Sequence, residues 1–320
     1  MLKDKNVLLI AGGGTLGTYT AEDLLARGAN VDVICLEDKV SNNACLNFIK
    51  DYFSFELAER LFKSKHYDAI VNFIHYSNVE EFKKTYDFLI KNTNHLIFLS
   101  SYRVYANVQH PITESAPRVH EVFTYKTFLD GDGYGVRKAR CEDFLFNERK
   151  GERWTIVRPV ISFSQTRLDI VMNSGEEVLG VAKSGKPLYL PESVKDFTAG
   201  LDWAGNSGKL ISRLILNEKA IGEAFTISSG QNLTWGEVAN EYQDKMGIKV
   251  EWVSDKEYLD KNPQILSTDW RSFAWYYDRK FSRDIDNSKV LSVTNLSKSD
   301  FLSIGEGIKI ELEKLGFTKN

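Results

Sequence analysis

The chain has 320 residues, of which 42% are hydrophobic and 27% are charged, and its formal net charge at neutral pH is −3. This composition is typical of a globular protein that is long enough for two domains, or for one domain with an added lobe. The acidic balance excludes the broad basic surface that nonspecific binding of nucleic acid or anionic lipid requires. We therefore expect a small ligand and no nucleic acid or membrane as a partner.

The apolar runs and the cysteines together indicate the compartment in which the protein is found. The longest apolar run near the start, residues 7–11, is far too short for a signal sequence, and no later segment reaches the roughly 20 residues of a membrane span. The three cysteines lack C-x-x-C spacing, and the five histidines lack metal-ligand spacing. We therefore predict a cytoplasmic protein with free thiols and no metal.

The first half of the chain alternates between strand and helix patterns. Strands are predicted at residues 6–11, 31–36, 69–74, 95–100 and 154–158, and helices at 15–27, 55–65, 79–92 and 134–150. The runs IVNFI and LIFLS are apolar at successive positions, as expected for strands that helices bury on both faces. The pattern predicts an α/β fold with a doubly wound parallel sheet.

Beyond Pro159 the pattern becomes irregular, because glycine and proline interrupt it. A helical pattern follows at 201–217 and a strand-like run at 224–228. We therefore predict a first domain over residues 1–160, with segments near 195–230 returning to it. Residues 161–320 are predicted to form mainly a smaller C-terminal lobe that binds substrate.

A glycine-rich loop joins the first strand to the first helix. In AGGGTLG, the residues Gly12, Gly14 and Gly17 fit the pattern G-x-G-x-x-G. Such a loop turns tightly, lets backbone N–H groups approach a pyrophosphate and allows the helix to pack closely on the sheet. The loop therefore predicts a Rossmann-type domain that binds a dinucleotide, with Thr15 and Leu16 among the contacting residues.

Two carboxylates are candidates for the adenosine end of that dinucleotide. Glu37 follows Gly17 by 20 residues, which is where NAD-binding folds place the acid that holds the ribose 2′-OH. Because the strand is expected to end at Cys35 or Leu36, Glu37 lies slightly beyond it, so the pattern favours NAD and leaves NADP open. Asp51 could accept a hydrogen bond from the adenine amine, or could be a solvated loop residue.

Hydroxyl and amine groups follow in an order that suits redox chemistry. Ser100 and Ser101 end the fourth predicted strand, at the edge where open α/β sheets bind ligands. Tyr134 and Lys138 open the following helix, and residues four apart share one helix face. A nearby ammonium and an oxidised nicotinamide both favour phenolate, so Tyr134 could act as the acid/base in hydride transfer. A second Y-x-x-x-K, at 276–280, lacks this context, and we assign it to packing.

Taken together, the motifs resemble the extended short-chain dehydrogenase/reductases, the NAD-dependent epimerase/dehydratase family, which acts largely on nucleotide sugars. The likeness covers nearly the whole chain, and its landmarks occur in order: AGGGTLG, SSYRVYAN followed by PITESAP, YGVRKARCE, TIVRPVISF, KDFTAGLDWAG, GEAFTISSGQNLTWGEVA and DIDNSKV. The resemblance implies that Ser101 is the hydroxyl of the catalytic triad and that Tyr134 is the acid/base. It also implies that Lys138 binds the nicotinamide ribose and lowers the tyrosine pKa.

The resemblance places three further residues near the junction of the cofactor and substrate lobes, as candidates for substrate binding. These are Arg158, Lys195 and Asp196, and for each of them a purely structural role is equally expected.

The chain also departs from the family pattern. Dehydratases of the family carry an acidic pair between the serine and the Val-Tyr, whereas this chain has Tyr102 and Arg103, which disfavours a dehydratase. Ala11 occupies the family's first glycine position. Lys195 stands where arginine is commoner, and lysine cannot make the bidentate phosphate contact of arginine.

The sequence therefore predicts an NAD(P)-dependent epimerase or ketoreductase, that is, an isomerase or oxidoreductase acting on a nucleotide sugar or a related polyol. The alternative is a catalytically weak dinucleotide-binding sensor or RNA-binding relative. The resemblance is compatible with a homodimer that packs through the helices at 79–92 and 134–150. The sugar, its stereochemistry and the choice between epimerase and reductase stay open at this point.

Overall fold

The computed structural model describes residues 2–131 and 133–319 of the chain. The strands in these residues are β1 (Asn6–Ile10), β2 (Asn30–Cys35), β3 (Leu46–Lys50), β4 (Ala69–Asn72), β5 (Leu96–Leu99), β6 (Trp154–Pro159), β7 (Ile161–Phe163), β8 (Pro187–Pro191), β9 (Leu201–Trp203), β10 (Glu223–Ile227) and β11 (Lys249–Val253).

The helices in the same residues are α1 (Thr15–Ala26), α2 (Phe55–Ser64), α3 (Val79–Leu89), α4 (Val119–Val122), α5 (Lys126–Gly131), α6 (Gly135–Glu148), α7 (Gly175–Ser184), α8 (Ala204–Leu214), α9 (Trp235–Met246), α10 (Asp255–Lys261), α11 (Asp269–Ala274), α12 (Ser288–Thr294) and α13 (Ile304–Lys314). A π-helical turn, Trp275–Arg279, continues α11.

A seven-stranded parallel sheet forms the centre of the described molecule, with the order β3-β2-β1-β4-β5-β6-β10. In β1, Leu9 packs into a core with Leu24 of α1 and Leu210 of α8, whereas Leu8 packs into a second core with Phe82 of α3 and Phe144 of α6. Successive residues of a strand therefore enter cores on opposite faces of the sheet, which explains the uninterrupted apolar runs. The predicted α/β fold with a Rossmann-type parallel sheet is confirmed.

The strand order reverses between β1 and β4, which both pair with parallel neighbours. In open α/β sheets such a switch point opens a crevice at the carboxyl ends of the strands. The glycine loop that follows β1 therefore faces the segments that follow β4 and β5.

Two local predictions need correction. The strand β3 was not expected, because LNFIK lies at the sheet edge and is only partly buried, so polar residues interrupt its apolar pattern. Residues 201–203 form β9, which pairs with β7, and the helix predicted over 201–217 begins only at Ala204.

The later part of the chain packs around an apolar core that includes Trp235, Tyr242 and Ile308 and that also takes in Tyr102 and Val104 from the first half of the chain. The strand pairs β7–β9 and β8–β11 belong to this part, while β10 returns to the central sheet beside β6. The division of the chain near residue 160 stays a prediction. None of the helices in the described part of the chain has the length and apolar character needed to cross a bilayer.

Candidate active site

A cavity of about 1340 Å³ lies at the carboxyl edge of the sheet, beside the switch point. One side is formed by the first half of the chain and includes Ala11, Gly14, Thr15, Leu16, Gly17, Ser101, Arg103 and Tyr134. The opposite side is formed by residues 159–177 and by residues 261–279, which belong to the later part of the chain. The glycine loop and two of the three predicted catalytic residues therefore line the same space.

The glycine loop is built as its pattern predicts. A Cβ on Gly12 would lie 2.7 Å from the Cβ of Leu9, and a Cβ on Gly17 would run into the carbonyl oxygen of Gly12. These two glycines therefore allow the close packing of β1 and α1. A Cβ on Gly14 would meet no atom within 4 Å, and Gly14 is the N-cap of α1 at the cavity wall. The first N–H groups of this helix can therefore serve as donors to an anion.

Ala11, at the start of the loop, has a φ of 55°. This left-handed conformation costs a residue with a Cβ about 1–2 kcal/mol, which is why glycine is usual at such a position. Two contacts brace the loop from outside: Nζ of Lys39 donates to the carbonyl of Gly13 at 2.5 Å, and Oγ1 of Thr15 lies 2.9 Å from Oγ of Ser164. The loop is thereby held in place although its first residue is strained.

The two predicted adenosine contacts lie at the same edge of the sheet, outside the cavity lining. Because β2 ends at Cys35, the exposed Glu37 follows it by two residues, and its carboxylate lies against Gly13, where an added Cβ would collide with it. Asp51 directly follows β3, is exposed and accepts a hydrogen bond from the backbone N–H of Tyr52 at 2.8 Å.

The predicted catalytic groups converge on the end of β5. Tyr134 is the half-buried N-cap of α6, and Lys138 lies one turn later, with its N–H donating to the carbonyl of Tyr134 at 3.0 Å. Nζ of the buried Lys138 donates to the carbonyl of Leu99, the last residue of β5, at 2.5 Å and to that of Ile74 at 3.3 Å. Ser101 follows two residues after Leu99, and its Oγ accepts from the N–H of Arg103 at 3.2 Å.

The ammonium of Lys138 is easier to deprotonate than that of an ordinary lysine. Burial lowers its pKa to about 8, with Cys141 and Glu142 acting to raise the pKa and Arg137 acting to lower it further. The two carbonyl acceptors can hold the charged form in place without an ion-pair partner.

The side chains of Arg103 and His75 lie near the ring of Tyr134. The guanidinium carbon of Arg103 lies 5.3 Å from the ring centre, and the ring of His75 is 5.2 Å away. Burial lowers the pKa of His75, and the charges of Lys138 and Arg137 lower it further, so that His75 is neutral at neutral pH. The positive charges at this corner of the cavity are therefore those of arginine and lysine.

Arg158 is not among the residues that line the cavity, and its contact with substrate stays a prediction. Its guanidinium is buried and donates to both carboxylate oxygens of Glu142, at 2.8 and 2.7 Å. It also donates to the hydroxyl of Tyr105 at 2.9 Å and to the carbonyl of Glu114 at 3.0 Å. These bonds direct the guanidinium to protein groups, so its role in this structure is to hold β6 against α6.

Lys195 and Asp196 follow a short 3-10 turn and also lie outside the cavity lining. Nζ of Lys195 is 3.8 Å from the carboxylate of Glu192 and 5.4 Å above the ring of Trp252. Asp196 is exposed to solvent. The structure therefore does not bring the three predicted substrate-binding residues together with Ser101 and Tyr134.

The sequence analysis missed the charged residues of the opposite wall, among them Asp278 and Arg279, which lie within the second Y-x-x-x-K stretch that was assigned to packing. Both lie in the π-helical turn, which the 3.6-residue period of an α-helix does not predict. The carboxylate of Asp278 is buried and accepts from the hydroxyl of Tyr102 at 2.8 and 2.9 Å. The charge pair of Asp and Arg in an aromatic stretch was the signal that could have revealed them.

The second Y-x-x-x-K in the same stretch lies apart from the cavity lining. Tyr276 is 49% exposed, and Nζ of Lys280 donates to Ser193 and Asp255.

One group of potential metal ligands occurs among the described residues, formed by His120, Glu121 and Asp143. Arg118 donates to both carboxylates at 2.5 Å, and Nε2 of His120 lies 2.7 Å from the Asp143 carboxylate. This group is therefore a network of ion pairs on the protein surface and in itself gives no reason to infer a metal.

Comparisons with known proteins support the fold. No family model and no curated protein sequence matches the chain. Among solved structures, the epimerase Mth375 from Methanothermobacter thermautotrophicus superposes with a TM-score of 0.71 at 16% identity, over 98% of this chain and 93% of that one. UDP-glucuronic acid 4-epimerase from Bacillus cereus, in complex with UDP-glucuronic acid and NAD, gives 0.69 at 14% identity, over 97% and 99%.

A third solved structure is the enzyme WbmG from Bordetella bronchiseptica, in complex with NAD and UDP, with a TM-score of 0.67 at 19% identity over 99% of this chain and 97% of that one. At these identities the likeness establishes a common fold. The resemblance to NAD-dependent epimerases that the sequence predicted is thus confirmed at the level of the fold.

Proposed function

We propose that the protein is an NAD-dependent epimerase or ketoreductase that acts on a nucleotide sugar, with Tyr134 as the acid/base. The observation that carries this proposal is the shared cavity: the glycine loop, Ser101 and Tyr134 line it together, and the ammonium of Lys138 lies at the end of β5 behind them. A dinucleotide loop without this hydroxyl, phenol and amine would favour binding alone.

The residues of the loop fit a dinucleotide. Gly14, Thr15, Leu16 and Gly17 would hold the pyrophosphate at the N-terminus of α1. The Glu37 carboxylate beside the loop would accept from a ribose hydroxyl and would repel a 2′-phosphate, which supports NAD over NADP. Asp51 would be available to the adenine amine. The bound NAD seen in two of the similar solved structures agrees with this choice.

When bound, NAD would accept or return a hydride at the carbon of the substrate that carries a hydroxyl. The residues of this chain would supply the proton chemistry. Ser101 would hold the substrate oxygen, and the Tyr134 phenolate would take the hydroxyl proton as the carbonyl forms and return it in the reverse direction. The Lys138 ammonium would stabilise the phenolate. Tyr102 and Arg103 offer no carboxylate for loss of water, which disfavours a dehydratase.

The cavity also suits a second, anionic ligand. Its volume of about 1340 Å³ exceeds the roughly 300–1000 Å³ of ordinary ligand sites, as expected if it holds a cofactor and a substrate together. The later part of the chain contributes Arg271 and Arg279 to its wall, and guanidinium groups bind phosphate well. UDP and UDP-glucuronic acid, the ligands of two similar solved structures, are ligands of this kind.

The proposal is tested with the purified protein. Mass spectrometry identifies small molecules that co-purify, calorimetry measures the affinities for NAD and NADP, and chromatography follows the conversion of UDP-sugars with NAD. We expect submillimolar NAD binding and interconversion of at least one sugar, without net NADH formation for an epimerase. Salt-dependent RNA retention without cofactor turnover would instead favour the sensor or RNA-binding alternative.

A further inference from the structure

Ser101, the proposed catalytic hydroxyl, opens a short 3-10 turn after the end of β5. The turn spans Tyr102–Val104, with Ser101 as its N-cap and Tyr105 as its C-cap. Oγ of Ser101 accepts from the N–H of Arg103 at 3.2 Å, so the turn fixes one side of this hydroxyl. A hydroxyl has one donor and two acceptor sites, which leaves its O–H able to donate to a substrate oxygen. The direction of that donor therefore depends on the position of the turn.

The start of the turn is bonded to the later part of the chain. The buried hydroxyl of Tyr102 donates to both carboxylate oxygens of Asp278, at 2.8 and 2.9 Å. Asp278 is 2% exposed and lies in the π-helical turn. The two residues are 176 positions apart in the chain, and both line the cavity. This bond therefore joins opposite walls of the cavity.

The end of the turn is bonded to the same carboxylate through Arg283. One terminal nitrogen of Arg283 donates to the carbonyl of Tyr105 at 3.0 Å, and the other donates to Asp278 at 3.3 Å. The guanidinium carbon also lies 5.1 Å from the centre of the Tyr102 ring, and the whole residue is buried. One carboxylate thus holds both ends of the turn, the first directly and the second through an arginine.

The carboxylate of Asp278 is charged. Burial acts to raise its pKa, but Arg279, Arg103 and Arg283 together lower it below its ordinary value. Hydrogen bonds to a charged acceptor are about twice as strong as those between neutral groups. The bond from the Tyr102 hydroxyl is therefore stronger than a bond to a neutral amide or hydroxyl would be.

The same π-helical turn presents Arg279 to the cavity. Nε of Arg279 donates to the carbonyl of Val171 at 2.7 Å, and a terminal nitrogen pairs with Asp278 and lies 3.3 Å from the hydroxyl of Tyr102. Asp278 therefore contacts both a residue of the wall proposed to bind phosphate and the residue next to the proposed catalytic serine.

We infer that Asp278 is a positioning residue, which holds the 3-10 turn in place so that the Ser101 hydroxyl is directed at the reacting oxygen of the substrate. This inference rests on the proposed function and adds a residue that acts through Ser101. The later part of the chain then contributes to catalysis as well as to substrate binding.

The test removes the Tyr102 hydroxyl alone. Tyr102→Phe keeps the ring and leaves Asp278 paired with its arginines. UDP-glucose, UDP-glucuronic acid and UDP-N-acetylglucosamine are offered with NAD, and the sugar that the wild-type protein converts fastest is used for every variant. We expect Tyr102→Phe to lower kcat about 10- to 100-fold, because a displacement of about 1 Å in a catalytic group has an effect of this order. KM and the Kd for NAD should change less than about threefold, because the groups that bind both ligands are kept.

Asp278→Asn removes the charge itself. It should lose at least as much kcat as Tyr102→Phe and should also raise KM, because Arg279 loses its partner. Full kcat in this variant would overturn the inference. Where the loss of a buried charge prevents folding, Tyr102→Phe alone carries the test.

Tyr86→Phe is the matched control. Tyr86 is a fully buried residue of α3 whose hydroxyl donates to the Glu152 carboxylate at 2.7 Å, and neither residue lines the cavity. Urea denaturation should show a similar loss of stability in Tyr86→Phe and Tyr102→Phe, whereas only Tyr102→Phe should lose kcat. A loss of stability in Tyr102→Phe with kcat unchanged would assign this bond a purely structural role and overturn the inference.

Ser101→Ala shows whether the effect is transmitted through the serine. In that background Tyr102→Phe should lower kcat less than about threefold further, because the hydroxyl that the turn positions is already absent. A further loss as large as in the wild-type background would overturn the inference, while the proposed function would stand. Absence of NAD binding and of turnover with all three sugars in the wild-type protein would overturn the proposed function and this inference with it.

Discussion

At the scale of the residue, the position of Lys138 determines the pH range in which its ammonium group is charged. The chain places its ammonium beside two backbone carbonyls at the ends of strands, where it is buried but can keep its charge near neutral pH. Because burial lowers its pKa to about 8, the charged form is lost at only mildly alkaline pH. An ordinary lysine would keep its proton to about pH 10.

This shift predicts a pH dependence. Lys138 is cationic below its pKa and neutral above it, so its support for the Tyr134 phenolate declines as pH rises through about 8. We expect kcat/KM to fall on the alkaline side of about pH 8, and we expect Lys138→Arg to move this fall upward, because a guanidinium stays charged to pH 12 or above. A pH profile that is identical in Lys138→Arg would contradict the assignment.

Individual residues also show which roles can be predicted from the sequence and which cannot. Gly12, Gly14 and Gly17 could be predicted because the demands on a strand-to-helix turn are local. The role of Arg158 could not be predicted, because the local sequence around an arginine at the end of a strand does not show whether its partner is the substrate or a buried carboxylate. Its partner, Glu142, lies in the predicted helix α6, but the sequence does not reveal that these two side chains pair.

At the scale of the element, α6 is fastened to two strands through Glu142. This fully buried carboxylate accepts from Oγ of Ser100 at 2.5 Å, after the end of β5, and from the guanidinium of Arg158 in β6. Ser100 precedes Ser101, and Tyr134 opens α6. We call the group formed by Ser100, Glu142 and Arg158 the clamp. It fixes the relative positions of the two elements that carry the proposed catalytic hydroxyl groups.

Removal of one member of this clamp should destabilise the protein strongly. Arg158→Met leaves the buried Glu142 carboxylate without its main partner, and the expected loss in the free energy of unfolding is about 3–5 kcal/mol. Urea denaturation measures it, with Arg153→Met as the control. Arg153 pairs with Glu218 on the surface, so its loss should cost at most about 1 kcal/mol.

A substrate-binding role for Arg158 predicts the opposite pattern, with an unchanged free energy of unfolding and a raised KM. Partial recovery of stability in the double variant Arg158→Met with Glu142→Gln would support the clamp further, because both charges are then removed.

The strands that are buried on both faces were easier to predict from the sequence than the partly buried ones. The central strands β1, β4 and β5 are covered on both faces and give continuous apolar runs. The edge strand β3 mixes polar and apolar residues, and the π-helical turn has a period that no helix pattern matches, so both were missed.

At the scale of the molecule, the C-terminal helix ties the two sides of the cavity together. Glu311 of α13 is fully buried and accepts from the hydroxyl of Tyr19 in α1, from Nε1 of Trp203 at 2.7 Å and from the N–H of Gln165 at 2.6 Å. The helix that follows the glycine loop is thus bonded to the later part of the chain. The cavity wall could not be predicted because its residues lie far apart in sequence, in segments without periodicity.

The central claim is that Tyr134 performs the proton transfer of a nicotinamide-dependent reaction on a bound sugar. The most direct measurement is the turnover of Tyr134→Phe together with its NAD affinity, with Tyr276→Phe, from the second Y-x-x-x-K, as the control. We predict that Tyr134→Phe loses about 10²–10⁴-fold in kcat while its Kd for NAD stays within about threefold, because only the proton transfer is removed. Undiminished turnover in Tyr134→Phe, or an equal loss in Tyr276→Phe, would contradict the account.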